Sequence, residues 1–494
     1  MRRLKDFRQY LDALRAIGEL VEVSAEVDPE LEVGAIARRL YETGGPAALF
    51  TRIRGVSPGY RLLAAPAGVS RQAGLYLSRV ALSLELDARA GGREIVEALA
   101  EAVAARPIAP RIVATGPCKE NIVKGDAVDL RRFPAPLLHE GDGGRYLGTY
   151  GTVVVRTPDG KWTNWGMPRV MLVDDKRMAG IVHPLQHTGM IHKMWQGQGK
   201  PTPFALCLGT PQPVAFVAGM SLPAWVDEGG YLGGYLGAPV DVVRCETVDL
   251  EVPASSEIVI EGYLSPTETV PEGPMGEYAG YHPGGEHVLR PVYHVTAVTH
   301  RTDPILPIVV AGEPVEEDHT TQGIPSAATV LADLRADGIP ATLAWCTLES
   351  ANHWIVVTVP EDWHERTKWQ NAELVQRIGK TVFEKNKFGV NIPKVLVVGD
   401  DVDPTNLQEL VWAFATRCHP ARGETFFQQE ATSPLVIFLR DGEKMSFHTT
   451  KVVYDCLPPA GERLPRRSSF AHVYPEAIQR RVVESWGRYG FTAR

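Results

Sequence analysis

Thr152-Val-Val-Val-Arg-Thr-Pro-Asp-Gly-Lys-Trp-Thr-Asn-Trp165 lies inside a chain of 494 residues. Val153, Val154 and Val155 are β-branched and stiff about χ1, which favours a pleated strand over a helix. Pro158-Asp159-Gly160 then presets one φ, lets an Asp side chain bond nearby backbone and supplies a residue free to take φ > 0. The stretch therefore predicts a β-hairpin with strands over 152–156 and 161–165.

Working outward, short β-rich runs recur at 169–173, 204–208, 214–217, 241–247, 257–263 and 291–299. Many short strands with Gly and Pro between them predict a barrel or sandwich. Two helices interrupt them, one over 187–198 and a looser Gly-rich one after Trp225. Towards both termini the texture turns to alternating helix and strand. Leu4, Phe7, Leu11, Leu14 and Ile17 recur at helical spacing. Asp28-Pro29 reads as a helix N-cap followed by proline at the first helical position, with Gly44-Gly45 ending that helix. A helix over 93–105 stops at the Pro-rich stretch 107–117, a candidate domain boundary. After Gly323, a buried strand at 395–398 leads through Gly399-Asp400-Asp401 into a helix over 406–415. The amphipathic segment 475–486 fits packing on a partner subunit or on its own chain.

Composition narrows the function classes. The chain is 44% hydrophobic and 22% charged with net charge −8, as in soluble globular proteins. Its length predicts two or three domains. No apolar run approaches the roughly 18 residues of a membrane span, and the amphipathic N-terminus differs from a secretory signal. A cytoplasmic protein with no membrane partner is expected. Without a basic stripe, nucleic acid is a poor partner. The six cysteines (Cys118, Cys207, Cys245, Cys346, Cys418 and Cys456) form no CxxC pair. That speaks against a zinc or disulfide scaffold and for buried thiols in a reducing compartment.

Glu272-Gly-Pro-Met-Gly-Glu277, followed by Tyr278-Ala-Gly-Tyr-His282-Pro-Gly-Gly285, carries the most chemistry. Glycines and a proline between two carboxylates preclude a regular helix, so this is a shaped loop. Such a loop can hold two acids at a pocket and push their pKa values apart, as proton donation requires. A solvated surface turn fits the same residue types. Asn164-Trp-Gly-Met-Pro-Arg169 adds an arginine able to keep one acid ionised while the other cycles its proton, although most arginines at strand starts are solvated. Asn164, His187 and Glu228 offer a mixed, fairly hard donor set suited to Mn2+ or Mg2+. No local spacing forces them together. Lys387 fits a phosphate contact or a solvated lysine. GxGxxG, GxxxxGK[ST] and GxSxG are all missing, so dinucleotide, NTP and serine-hydrolase chemistry lose support.

Taken in order, DFRQYLDALRAIGELVEV (6–23), NWGMPR (164–169), PLQH (184–187), GKPTPFALCLG (199–209), EGPMGEYAGY (272–281), PILPIVVAG (304–312), EEDHT (316–320) and VWAFATRCHP (411–420) resemble the UbiD-like, prenylated-FMN-dependent decarboxylases. The resemblance covers nearly the whole chain, and LLHEGDGGRYLGTYG (137–151) is most similar to the heteroaromatic-acid branch. It implies an α+β fold: a central split β-barrel of flavin-reductase type flanked by N-terminal and C-terminal α/β domains. The expected boundaries are 1–118, 119–322 and 323–494, the last with a hinge and a dimerisation helix. It implies Mn2+ (or Mg2+) ligands at Asn164, His187 and Glu228, the ion tying the protein to the phosphate of prenylated FMN. K+ would sit on backbone carbonyls around Trp165 and Met220, with Glu228 helping, although Val217-Ala-Gly-Met220 departs from the serine-bearing version. Gln186 matches a cofactor-contacting glutamine and Lys387 a phosphate-contacting lysine. Glu272, Arg169 and Glu277 match the catalytic network, with Glu277 the proton donor.

The implied reaction is reversible, non-oxidative decarboxylation of an aromatic or heteroaromatic α,β-unsaturated acid through a covalent adduct with prenylated FMN. A flavin prenyltransferase would supply the cofactor, and a homodimer or homohexamer is expected. His183 falls at a pocket position that is aliphatic in cinnamate-type relatives. It is expected to hydrogen-bond a ring heteroatom or hydroxyl of the substrate, and capping of a strand end fits equally. Competing readings are a polyprenyl-hydroxybenzoate decarboxylase of quinone biosynthesis, a non-catalytic flavin-binding homologue and a plain Mn2+ hydrolase.

Overall fold

The computed structural model describes residues 3–492. The first two and last two residues of the expected terminal domains lie outside the described residues. The predicted hairpin is present: Gly151–Arg156 pairs antiparallel with Thr163–Gly166, placing Val154 opposite Trp165 and Val155 opposite Asn164. It forms one edge of a nine-stranded antiparallel sheet that curls into a half-barrel. Across that sheet follow Thr202–Leu208, the long pair Ile258–Glu272 and Val288–His300, then Arg177–Gly180, Val170–Leu172 and Tyr146–Gly148. Asn121–Lys124 pairs with the far part of Val288–His300. The long pair shifts register between Glu261 and Gly262 and again between Leu264 and Thr269. Such bulges bend a strand. At Gly262 a Cβ would lie 1.9 Å from the His294 carbonyl oxygen, so only glycine fits there.

The N-terminal helix Phe7–Ala16 buries Phe7, Tyr10, Leu11 and Leu14, and the Asp6 carboxylate caps it by accepting from the Gln9 N–H at 2.8 Å. It packs on a four-stranded sheet in the order Leu20–Val23, Ala47–Phe50, Arg61–Ala64, Ile305–Ile308. The fourth strand thus arrives from far along the chain and pairs parallel to the third. Helix Gly92–Ala104 packs against Ile324–Ala336, and beyond it the C-terminal sheet runs Leu343–Cys346, Trp354–Val359, Lys394–Gly399, His448–Asp455, Glu424–Ala431. The Pro-rich stretch lies at the surface but is pinned by backbone bonds. Ile108 N–H donates to the Gly230 carbonyl at 3.0 Å, and Arg111–Ile112 pairs parallel with Asp241–Arg244.

Two local expectations differ from the structure. Residues 214–217 are not a strand but part of helix Gln212–Gly219, whose Val214–Val217 are all buried. A short apolar run buried on every side carries no period that separates strand from helix. Asp28-Pro29 does not cap the next helix, which runs Glu32–Thr43 and starts after Leu31 at φ 69°. Asp28 instead bonds the Glu30 N–H in an Asx turn (2.8 Å), and the Pro29 carbonyl accepts from Leu137 N–H at 3.0 Å, so the chain stays extended there. Its end is as expected, with Gly44 left-handed at φ 60°. The C-terminal helix Glu476–Glu484 buries none of its residues on this chain. Among the described residues no helix is long and apolar enough to cross a membrane, and all six cysteines are free thiols.

Candidate active site

Strand Thr163–Gly166 turns Asn164 inward, where it meets the first residues of two helices, His187–Gln196 and Glu228–Leu236. Asp227 caps the second helix by accepting from the Gly230 N–H at 2.8 Å, which orients Glu228 at its first turn. That helix is rich in glycine because the Pro-rich stretch crosses it closely: at Gly233 a Cβ would lie 2.1 Å from the Ile108 carbonyl oxygen. Asn164 Nδ2 donates to Glu228 Oε1 at 2.8 Å, and the Trp165 N–H donates to Glu228 Oε2 at 2.9 Å. His187 Nδ1 lies 3.7 Å from the same Glu228 Oε1, and the Thr188 hydroxyl donates to Asn164 Oδ1 at 3.3 Å. Asn164, His187 and Glu228 are therefore brought together, all three nearly fully buried. Among the described residues no three His, Cys, Asp or Glu side chains gather as a metal cluster. Here the third donor is the Asn164 amide. Turned so that its oxygen in place of its NH2 faces Glu228, that amide completes with the imidazole nitrogen and the carboxylate a donor set that fits a hard divalent cation. Two helix N-termini beside them fit an anionic phosphate.

The other pole is an arginine between two acids. Arg169 Nε and Nη2 grip the Glu272 carboxylate at 2.9 and 3.3 Å, and its Nη1 donates to Glu277 Oε1. The Tyr146 hydroxyl adds a third donor to Glu272 at 2.8 Å. Glu272 ends the long strand and is buried, while Glu277 lies on the loop and faces the cavity. Burial pushes the Glu277 carboxyl above the usual carboxylate range, against the pull of Arg169. Burial alone would lower the Arg169 guanidinium, yet Glu277 and Glu272 outweigh it and hold it firmly charged. Two acids on one cation thus have different surroundings, the arrangement that separates an anchor from a proton donor.

Both poles open onto one cavity of about 370 Å3. Asn164, Trp165, Arg169, Gln186, His187, Met220, Glu228, Glu277, Lys387 and His183 all line it, with Glu272 just behind Arg169. Lys387 has no hydrogen-bond or ion-pair partner among the described residues, and burial lowers its ammonium to about 8 against the opposing charge of Glu228. The Met220 carbonyl accepts from the Leu222 N–H at 3.0 Å. His183 does not cap the strand Arg177–Gly180. Its Nδ1 accepts from the Leu185 N–H at 3.3 Å, and its ring meets Phe447 at 5.7 Å. Tyr146, Arg290 and Asp318 belong to this site too. Their local sequence gives them no role: Arg290 and Asp318 reach the cavity, and Tyr146 reaches Glu272, through the curl of the sheet or the crossing of distant segments.

Three family models cover most of the chain: the 3-octaprenyl-4-hydroxybenzoate carboxy-lyase N-terminal domain over 11–99, the Rift-related domain over 111–314 and the C-terminal domain over 319–456. This chain belongs to the UbiD family. It is 46% identical over 490 residues to the pyrrole-2-carboxylic acid decarboxylase of Pseudomonas aeruginosa, covering 98% of each chain. It is 36% identical over 509 residues to ferulic acid decarboxylase 1 of Saccharomyces cerevisiae, covering 99% of this chain and 100% of that one. Among solved UbiD-class structures, HmfF from Pelotomaculum thermopropionicum in complex with FMN matches with TM-score 0.79 at 27% identity, over 94% of this chain and 97% of that one. The closed form of Sedimentibacter hydroxybenzoicus vanillic acid decarboxylase shares the fold with TM-score 0.83 at 24% identity, over 100% of both chains.

Proposed function

We propose that the chain is a carboxy-lyase removing CO2 from an aromatic or heteroaromatic acid with prenylated FMN as its cofactor. The observation that carries the reading is the Glu272–Arg169–Glu277 network facing the same cavity as Asn164, His187 and Glu228. Kinship with decarboxylases of pyrrole-2-carboxylic and ferulic acids favours it over a polyprenylated hydroxybenzoate. Solved UbiD-class relatives in complex with FMN and prFMN support the cofactor.

When bound, prenylated FMN supplies the electron sink that an aromatic carbanion lacks. Every other task falls to the chain. Asn164, His187 and Glu228 would hold a divalent ion, Mn2+ or Mg2+, beside the cofactor phosphate, with Lys387 and two helix N-termini adding positive potential. K+ would take backbone carbonyls around Trp165 and Met220. Gln186 would contact the flavin. Arg169, held rigid by Glu272, orients Glu277, and neutral Glu277 delivers a proton to the carbon that has lost CO2. His183 faces the substrate end and would hydrogen-bond a ring heteroatom or hydroxyl. Division into an N-terminal α/β domain (1–118), a split-barrel domain (119–322) and a C-terminal α/β domain (323–494), a cytoplasmic location, a flavin prenyltransferase as supplier and assembly as a dimer or hexamer complete the reading.

The test is to co-produce the chain with a flavin prenyltransferase, record the bound chromophore and offer a panel of aromatic acids. CO2 release that requires the modified flavin is the expected result. A fully loaded protein that releases none from any aromatic or heteroaromatic acid overturns it.

A further inference from the structure

The turn His139-Glu-Gly-Asp-Gly143 lies against the loop that carries Glu277, and the two interlock. Asp142, whose side chain is wholly buried, accepts four hydrogen bonds. They come from the His139 N–H (3.0 Å), His139 Nδ1 (3.0 Å), the Gly276 N–H (3.0 Å) and His282 Nε2 (3.2 Å). The Gly143 N–H donates to the Pro274 carbonyl at 2.7 Å. Neither loop tolerates a side chain at the junction: a Cβ at Gly143 would lie 1.9 Å from the Gly273 oxygen, and one at Gly276 would lie 2.7 Å from the His139 ring. His139 Nε2 faces the Ala311 carbonyl at 2.9 Å while its Nδ1 faces the Asp142 carboxylate. The ring therefore ties the turn to Ala311, which fixes its plane against Gly276. The His282 ring holds the loop from its other side, where its Nδ1 accepts from the Gly284 N–H at 3.2 Å.

We propose that Asp142, clamped by His139, is the positioning residue that fixes the Gly276–Glu277 backbone and so aims the carboxyl that delivers the proton. It acts through the backbone and touches neither the metal ligands nor Lys387. The proposal rests on Glu277 as the proton donor. Charge-assisted bonds to a buried carboxylate are the strong kind and hold a glycine-rich loop that has little stiffness of its own. Asp142 also bears on Glu277 electrostatically, raising its carboxyl along with Glu272 and against Arg169. Asp318 and Tyr278 also feel the Glu277 charge, and Arg290 lines the same cavity.

The experiment compares flavin-loaded wild type with Asp142→Asn and His139→Phe, the latter keeping a ring over Gly276 but no donors. Displacing a reacting group by about 1 Å costs on the order of 100-fold. Asp142→Asn is therefore expected to lower kcat about 10–100-fold with KM little changed and flavin occupancy intact. Its alkaline limb should move to lower pH, because one negative charge beside Glu277 is gone. Amide hydrogen exchange over 272–282 should quicken in both variants. Unchanged exchange in both variants overturns the proposal, and so does lost flavin occupancy with kcat per bound flavin preserved. Exchange is read on the chain itself, so it separates failure of this clamp from failure of the decarboxylase reading, in which wild type releases no CO2.

Discussion

Glu272 and Glu277 share Arg169, but Glu272 collects three donors within a buried pocket while Glu277 keeps one and faces the cavity. A carboxylate satisfied on that scale stays an anchor; a half-satisfied one in a desolvated place holds its proton longer. The sign for activity follows. Burial raises the Glu277 carboxyl, and the donor works only while neutral, so kcat is present below its folded-state pKa and lost as pH rises through it. A kcat–pH profile of the loaded enzyme should show an alkaline limb above the ordinary carboxylate range, absent if another group donates. At the opposite pole, His187→Ala removes one of three converging donors. It should purify with little flavin, read as the ratio of flavin to protein absorbance, whereas full occupancy contradicts the metal assignment. These pairings were not legible from spacing. Arg169 and Glu272 are 103 residues apart; residue types suggested an arginine beside two acids, and the resemblance of several ordered motifs gave that network its members. Tyr146 and Asp142 lie in the stretch 137–151 that carries the resemblance, yet gained no role there, because a tyrosine in a strand and an aspartate in a glycine turn look ordinary until the sheet curls.

Elements place those side chains, and helix starts do most of it. Glu228 and His187 are each the first residue of a helix, so each stands where backbone N–H groups are unsatisfied and an anion is welcome. Asp227→Ala deletes the cap on Gly230 and should cost about 1 kcal/mol, seen as a lower Tm and weaker flavin retention. No change in either would mean that the cap does not hold Glu228. Local chemistry made some elements readable and others not. The hairpin at 152–165 was legible since three consecutive valines and a Pro-Asp-Gly turn agree. Val214–Val217 misled because its helix is buried all round. Asp28-Pro29 misled because the Asp side chain closed a turn on Glu30 in place of capping the helix.

Across the whole molecule the site is assembled from distant parts of the chain. The half-barrel contributes Asn164 and Arg169, while Lys387, Asn391 and Thr432 reach the same cavity from the C-terminal region. The tail remains unburied: Phe470, Tyr474, Val483, Trp486, Tyr489 and Phe491 are between 41% and 63% exposed. Apolar surface of that kind is where contact with a partner would be sought, and the proposed dimerisation helix is tested there. Ending the chain after residue 468 should lower the mass measured by light scattering, to half for a dimer, without emptying the flavin site. An unchanged mass would assign assembly to another face. The central claim is that Glu277 protonates the carbon left by CO2, and its most direct test is the turnover of flavin-replete Glu277→Gln on whichever acid the wild type uses best. The account predicts a fall of about 10²–10⁴-fold with flavin occupancy unchanged. CO2 release at close to the wild-type rate would contradict it.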